Sequence, residues 1–229
     1  MWGDHVQAKY PASAYRGVRA NVPDWLIGAP YARYLGRAVQ MLELQPGDSA
    51  YDVACGPGYN ISRLVGAVGS RGMVTAVEDN PHLLACARRK VERAGWPNVR
   101  LLASLDPAHT PHADGMIIGY NPPIVLQRPD LLEAAWVILR PGGRLSAVGA
   151  RCTTPAGRLA GPFVRLGLVL LGHPGDWHYW TVHEPWQHLK ELSGGNTSVR
   201  SKLGFEYILC ARKGQHVNGP AEQDRRSLS

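Results

Sequence analysis

The sequence predicts a single α/β domain built on a doubly wound, mostly parallel sheet with helices on both faces. Three observations lead to this fold class. Short apolar or β-branched runs alternate with segments of helical spacing through most of the chain. A glycine-rich turn joins the first predicted strand to the helix that follows it. The 229 residues, 45% of them hydrophobic, are enough for one domain with a full core.

Turn-forming residues mark where the predicted helices and strands begin and end. Pro46-Gly47-Asp48 turns into the first strand. Asn80 is expected to cap a helix, and Pro81 suits the first turn of that helix. Arg140-Pro141-Gly142-Gly143 ends a later helix. The last strand is expected to be antiparallel. The predicted helices are 32–42, 61–68, 82–94 and 131–139, and the predicted strands are 49–51, 73–77, 99–103, 115–119, 144–149 and 205–211.

Composition divides this single domain, predicted over residues 1–213, into three parts. Residues 1–45 are expected to form a helical cap and residues 46–150 a ligand-binding core. Residues 151–198 are rich in glycine, proline, tryptophan and histidine and are predicted to form a lid over the substrate. The polar residues 214–229 are expected to be a disordered tail.

Charge and cysteine content limit the classes of function. The formal net charge is +7, but the basic residues are scattered, so nucleic acid is a minority hypothesis. No apolar run reaches the roughly 18 residues that span a bilayer, and the N-terminus lacks a signal-peptide layout, so a cytoplasmic location is the default expectation. The four cysteines form no C-x-x-C pair, and we expect neither a metal site nor disulfides.

The segment Asp52-Val53-Ala54-Cys55-Gly56-Pro57-Gly58 lies between the first strand and its helix. Glycines there let a ligand approach the backbone closely. The third glycine of a dinucleotide fingerprint is replaced by Ile61. Glu78 follows Gly58 by 20 positions, at the end of the second strand, where an acid can accept both hydroxyls of a ribose. For an adenosine ligand without phosphates, the amino-acid end would lie at the glycine turn, and Asp52 would then face its cationic amino group.

Four segments in register resemble the class I S-adenosylmethionine-dependent methyltransferases, over roughly residues 47–150. The glycine segment resembles the first motif of that family and Ala76-Val77-Glu78-Asp79-Asn80-Pro81 its second. Ala113–Ile118 is similar to the family's fourth strand, and residues 139–145 to the turn before the fifth. The resemblance implies a Rossmann-like fold and S-adenosylmethionine as cofactor.

The resemblance also implies roles for individual residues. The glycine segment would hold the methionine end of the cofactor, and Glu78, with Asp79 beside it, the ribose. Ser104 stands where the family often has aspartate for the adenine amino group, and Asp106 is an alternative. Tyr120 and Asn121 would lie near the methyl group. The predicted cofactor-binding residues are Asp52, Ala54, Gly56, Gly58, Glu78, Asp79, Ser104, Leu105, Tyr120 and Asn121.

The acceptor side is predicted from less specific signals. His178 and His183 lie in the aromatic-rich part of the lid and are the candidate general bases. Asn121-Pro122-Pro123 resembles the motif of methyltransferases that act on exocyclic amines, but the following residue is Ile124 in place of an aromatic residue. A loop stiffened by two prolines is the preferred interpretation.

Three hypotheses follow for function. The first is methyl transfer to a small molecule, such as an aromatic or lipid-like secondary metabolite, with a homodimer as one assembly to test. The second is methylation of RNA or protein through Asn121-Pro122-Pro123. The third is a protein that binds S-adenosylmethionine without transferring methyl groups, in the manner of a cyclase, an isomerase or a structural domain.

Overall fold

The computed structural model describes residues 24–119, 129–150, 154–170, 186–202 and 206–215. About half of the predicted cap, 18 of the 48 residues of the predicted lid and most of the predicted tail fall outside these ranges. The described helices are α1 (Asp24–Gln40), α2 (Ile61–Val68), α3 (Pro81–Ala94), α4 (Pro129–Ile138), α5 (Pro155–Leu170) and α6 (Gln187–Leu192). The strands are β1 (Ser49–Val53), β2 (Met73–Val77), β3 (Val99–Leu102), β4 (Ala113–Ile118), β5 (Leu139–Ala150), β6 (Thr197–Lys202) and β7 (Glu206–Arg212).

The seven strands form one sheet in the order β3-β2-β1-β4-β5-β7-β6. Strands β1 to β5 pair in parallel, and β7 is antiparallel to both β5 and β6. The predicted fold class is therefore confirmed, including the antiparallel final strand. The strand order reverses between β1 and β4, so the carboxyl ends of these strands flank the crevice where doubly wound sheets bind ligands.

The core lies on both faces of the sheet, because successive side chains of β4 point to opposite faces and both sets are buried. Met116 and Ile118 belong to a buried cluster with Leu145 and Tyr207. Ile117, which points to the other face, packs in a cluster with Leu35 of α1 and Leu64 of α2. Helices therefore cover both faces. No helix in the described part of the chain has both the length and the apolar character needed to cross a membrane.

Two predicted boundaries differ in the structure. Helix α1 begins at Asp24, earlier than the predicted residue 32. Strand β5 begins at Leu139, so the predicted turn 140–143 lies within it as an irregular stretch of the pairing with β4. Lys213 explains the second difference. Its backbone N–H donates to Gly143 O, and its Nζ donates to Leu139 O at 2.6 Å.

Part of the predicted lid packs with the sheet. Leu189 of α6 is fully buried, and the ring of Trp186 lies 5.3 Å from that of Tyr207 in an edge-to-face contact. Residues Thr197–Lys202 form β6 at the edge of the sheet, a strand that the sequence did not predict. Its composition, TSVRSK, is polar because an edge strand faces solvent.

Candidate active site

The glycine turn lies at the carboxyl end of β1, next to the reversal of strand order. Ala54 and Gly56 adopt positive φ angles of 56° and 57°. For alanine this conformation is strained, as is common at ligand-binding turns. The N–H of Cys55 donates to Val77 O at 2.9 Å, which ties the turn to β2. A Cβ atom added to Gly56 would meet no atom within 4 Å, so open space lies beside the turn.

Glu78 links the end of β2 to this turn. Its Oε2 accepts a hydrogen bond from the backbone N–H of Gly56 at 2.8 Å, and its Oε1 accepts one from the N–H of Asn80 at 2.9 Å. Burial raises the pKa of Glu78 to about 7, although both N–H groups favour the charged form. Each carboxylate oxygen can accept a further hydrogen bond, so Glu78 retains capacity for ligand hydroxyls.

Asp52 and Asn60 form a fully buried polar pair at the centre of the site. Asn60 Nδ2 donates to Asp52 Oδ1 at 3.1 Å. Asp52 Oδ2 and Asn60 Oδ1 are both buried and accept no hydrogen bond from the described residues. Burial raises the pKa of Asp52 to about 7, with the hydrogen bond from Asn60 acting in the opposite direction. Two buried acceptors without donors indicate a site for a donor-rich ligand group.

Asn60 was not among the predicted site residues, and comparison with Asn80 shows why it belongs there. Both asparagines precede a helix in the N-cap position. Asn80 caps α3 in the usual way, because its Oδ1 accepts from the N–H groups of His82 and Leu83. Asn60 makes no side-chain cap with α2 and turns to Asp52 instead. From sequence alone, an asparagine before a helix predicts a cap, so this signal could not reveal its role.

Two further contacts hold the site in shape. A Cβ atom on Gly119, just after β4, would lie 2.3 Å from Asn60 Nδ2, so a larger residue there would displace the Asn60 side chain. Lys90 of α3 donates from Nζ to Gly58 O at 3.2 Å, and its Nζ lies 5.2 Å from the centroid of the Tyr59 ring. Strands β1 and β4 and helix α3 therefore all restrain the turn and Asn60.

The remaining predicted cofactor residues lie at the same edge of the sheet or outside the described residues. Asp79 is exposed beside Glu78. After β3, Ser104 is exposed and Leu105 packs partly buried against the core. Tyr120 and Asn121, with the predicted bases His178 and His183, lie outside the described residues, and their roles stay predictions.

Cys55 and metal binding can be assessed from the described residues. Burial raises the pKa of the Cys55 thiol far above its usual range, so this side chain is a neutral packing group, not a nucleophile. Within the described ranges, no cluster of three histidine, cysteine, aspartate or glutamate side chains could hold a metal ion.

The donor set of the site fits S-adenosylmethionine. Its ammonium group is a donor that suits Asp52 Oδ2 and Asn60 Oδ1, which are buried and accept no hydrogen bond from the described residues. Its ribose offers two hydroxyl donors, and Glu78 is a buried acceptor at the tip of the neighbouring strand. The open space beside Gly56 gives room for the chain of atoms that joins these groups.

Comparison with solved structures agrees on the fold. An S-adenosylmethionine-dependent O-methyltransferase from Thermotoga maritima superimposes with a TM-score of 0.58 at 17% identity, over 86% of this chain and 72% of that one. At this level of identity the likeness establishes the fold alone.

Sequence relatives include enzymes with different acceptors. A protein-L-isoaspartate O-methyltransferase from Methanothrix thermoacetophila is 32% identical over 52% of this chain and 54% of its own length. A demethylmenaquinone methyltransferase from Bacillus cereus is 29% identical over 47% and 46%. A 2-phytyl-1,4-naphtoquinone methyltransferase from Nostoc sp. is 28% identical over 53% and 55%. The chain thus spans about half the length of these relatives.

A family model gives the assignment. The model of the protein-L-isoaspartate(D-aspartate) O-methyltransferase family matches residues 3–117, half of the chain, and this match includes the glycine turn, Asn60 and Glu78. The chain therefore belongs to this family of class I S-adenosylmethionine-dependent methyltransferases.

Proposed function

We propose that this chain transfers a methyl group from S-adenosylmethionine to a small, aromatic or lipid-like acceptor. One observation carries the cofactor-binding part of the proposal. Asp52 and Asn60 present two buried acceptors without donors, beside an open glycine turn at the point where the strand order reverses. Unsatisfied buried polar atoms destabilise a domain, and a bound ligand that donates hydrogen bonds to both acceptors would remove that cost.

The reaction makes limited demands on the protein. S-adenosylmethionine supplies, when bound, a methyl group already activated by a positively charged sulfur. The protein must therefore bind and orient the reactants and exclude water. Asp52 and Asn60 would accept hydrogen bonds from the ammonium group, and Glu78 from the ribose hydroxyls. Ser104 and Leu105 would flank the adenine. His178 or His183 would take a proton only if the acceptor is a neutral hydroxyl or an acidic C–H group.

The acceptor class is supported by the relatives and by the part of the chain outside the family match. Two relatives are named for quinone substrates, which are aromatic and lipid-like. The family model ends at residue 117, inside β4, so it leaves β5 and α5 unassigned. Helix α5 follows β5 and is largely apolar in sequence, PAGRLAGPFVRLGLVL. An apolar acceptor suits such a segment better than a polar peptide does.

Methylation of isoaspartyl residues in proteins is the second candidate, because the matching family model carries that name. The two candidates differ in their products. An isoaspartyl carboxylate gives a methyl ester, which mild base hydrolyses, whereas a methylated quinol carries a base-stable ether or carbon–carbon bond.

The test incubates the full chain with methyl-labelled S-adenosylmethionine and either a reduced isoprenyl naphthoquinone or an isoaspartyl peptide. We expect S-adenosylhomocysteine and a base-stable labelled product with the quinol only. A base-labile product on the peptide would overturn the acceptor proposal in favour of the second candidate. Binding of the cofactor without label transfer to any acceptor would overturn methyl transfer itself. Asp52→Asn is the control variant and should lower turnover by weakening cofactor binding.

A further inference from the structure

Helix α5 carries large apolar side chains that face solvent on one side. Leu159, Phe163 and Leu166 are 79%, 78% and 58% exposed. Their spacing of four and then three residues places them on one face of the helix. We call these three residues the apolar stripe. Soluble monomers rarely group exposed apolar side chains of this size unless the surface binds something.

Two buried glycines of α5 indicate which way the apolar stripe faces. Gly157 and Gly161 are buried, and their spacing of four residues defines the opposite face of the helix. The helix begins at a defined cap, because Thr154 Oγ1 accepts a hydrogen bond from the N–H of Gly157 at 3.0 Å. The two buried glycines lie on the opposite face of α5 from the apolar stripe, so the stripe points away from the buried side.

Charge indicates what kind of surface would cover the stripe. Arg158 is exposed next to Leu159, where a helical projection places it at the border of the apolar face. The chain has a formal net charge of +7. An apolar helix face bordered by basic residues is typical of helices that lie in the surface of an anionic bilayer. Within the described residues, α5 has 16 residues, fewer than the roughly 20 that a membrane-spanning helix needs.

The position of α5 connects this surface to the candidate active site. Strand β5 is parallel to β4, and β4 is parallel to β1, so all three strands end at the edge that carries the glycine turn. Helix α5 starts just after β5, at that same edge. A lipid-soluble acceptor resides in the bilayer, and it would leave the bilayer next to the site.

We propose that the apolar stripe of α5 docks on the surface of an anionic lipid bilayer and brings the active site to a membrane-held acceptor. The docking part stands on the stripe, the buried glycine face and the charge. The delivery part rests on the proposed function, because it assumes a lipid-like acceptor.

Flotation of the full chain with vesicles tests the docking. The vesicles are phosphatidylcholine with phosphatidylglycerol, and pure phosphatidylcholine as the neutral comparison. We expect binding to the anionic vesicles that weakens with added salt. The double variant Leu159→Gln with Phe163→Gln should bind the anionic vesicles about a hundredfold more weakly, or about tenfold for each side chain. Arg158→Gln should weaken it about fivefold on anionic vesicles only.

Val137→Gln is the matched control, because Val137 is 56% exposed on α4 and lies outside the stripe. Its vesicle binding should equal that of the unmodified chain. The proposal is overturned if the unmodified chain does not bind the anionic vesicles, or if the stripe variants bind like Val137→Gln. Loss of a dimer in the stripe variants, without vesicle binding by the unmodified chain, would identify the stripe as an interface between copies.

Calorimetric binding of S-adenosylhomocysteine separates this proposal from the proposed function. All of these surface variants should retain it, because none of the changed residues belongs to the cofactor site. A chain that binds vesicles but not S-adenosylhomocysteine would contradict the proposed function and leave docking supported.

Discussion

Replacing Asn60 with alanine tests how the buried Asp52 carboxylate is used. The variant removes the donor 3.1 Å from Asp52 Oδ1 and one of the two buried acceptors that lack partners. A hydrogen bond to a charged group contributes about 1.5–3 kcal/mol. If the ammonium group of the ligand binds this pair, the affinity for S-adenosylhomocysteine should fall by that amount, which is about 10- to 150-fold.

Two ligands distinguish a local role from collapse of the site. 5′-Methylthioadenosine has the same adenosine but lacks the amino-acid end. Calorimetry should show that Asn60→Ala lowers the affinity for S-adenosylhomocysteine by this factor of about 10 to 150. The affinity for 5′-methylthioadenosine should change by less than about threefold, which is below about 0.7 kcal/mol. Asn80→Ala is the matched control, because it removes a true helix cap and should cost about 1 kcal/mol of stability without this selective loss.

Two results would refute the reasoning. If Asn60→Ala lowers the affinity for both ligands equally, Asn60 only supports the turn. Unchanged affinity for S-adenosylhomocysteine would mean that the ammonium group binds elsewhere.

Four further predictions concern the same site. Burial raises the pKa values of Asp52 and Glu78 to about 7, and the hydrogen-bond donors of the ligand favour the charged carboxylates. The affinity for S-adenosylhomocysteine should therefore rise from pH 5.5 to about pH 7.5, by up to about tenfold per pH unit for each carboxyl group. Asp52→Asn should flatten that profile in calorimetric titrations; if the slope is unchanged, another group controls it. A carboxyl group whose pKa is higher in the folded state than in the unfolded state makes the fold less stable as the pH rises from about 4 to about 7. Asp52→Asn should therefore raise the free energy of unfolding at pH 8 by about 1–3 kcal/mol in urea titrations. A lower free energy of unfolding would contradict a destabilising buried charge at Asp52. Glu78→Gln should lower the affinity for both ligands, because both contain the ribose and the amide loses one of the two acceptor oxygens; selective loss of one ligand would argue against ribose binding. Gly119→Ala should displace Asn60 and reproduce the ligand selectivity of Asn60→Ala, and wild-type selectivity would show that the pair tolerates the shift.

Local patterns predicted the parts of the fold that depend on neighbouring residues. The cap at Asn80, the position of Pro81 in the first turn of α3 and the strand Met73–Val77 lie where the sequence places them. Turn chemistry and β-branching act within a few residues, so they can be read directly. The glycine turn was found for the same reason.

Features that depend on distant contacts could not be predicted. The start of β5 depends on Lys213, more than 70 residues away. The role of Asn60 depends on the fully buried Asp52 drawing its side chain away from the helix that it precedes. Glu78 was placed correctly at the end of β2, but its contact with the N–H of Gly56 became visible only when two strands met. Sequence patterns indicate which residues end a strand or begin a helix, but their contacts depend on how the strands pair in the sheet.

The most direct test of the central claim is a calorimetric titration of the full chain with S-adenosylhomocysteine, run beside 5′-methylthioadenosine. The claim is that the turn, Asp52, Asn60 and Glu78 together bind both ends of this cofactor. It predicts one S-adenosylhomocysteine per chain, bound more tightly than 5′-methylthioadenosine because only the former reaches the buried Asp52–Asn60 pair. Absence of binding, or equal affinity for the two ligands, would contradict it.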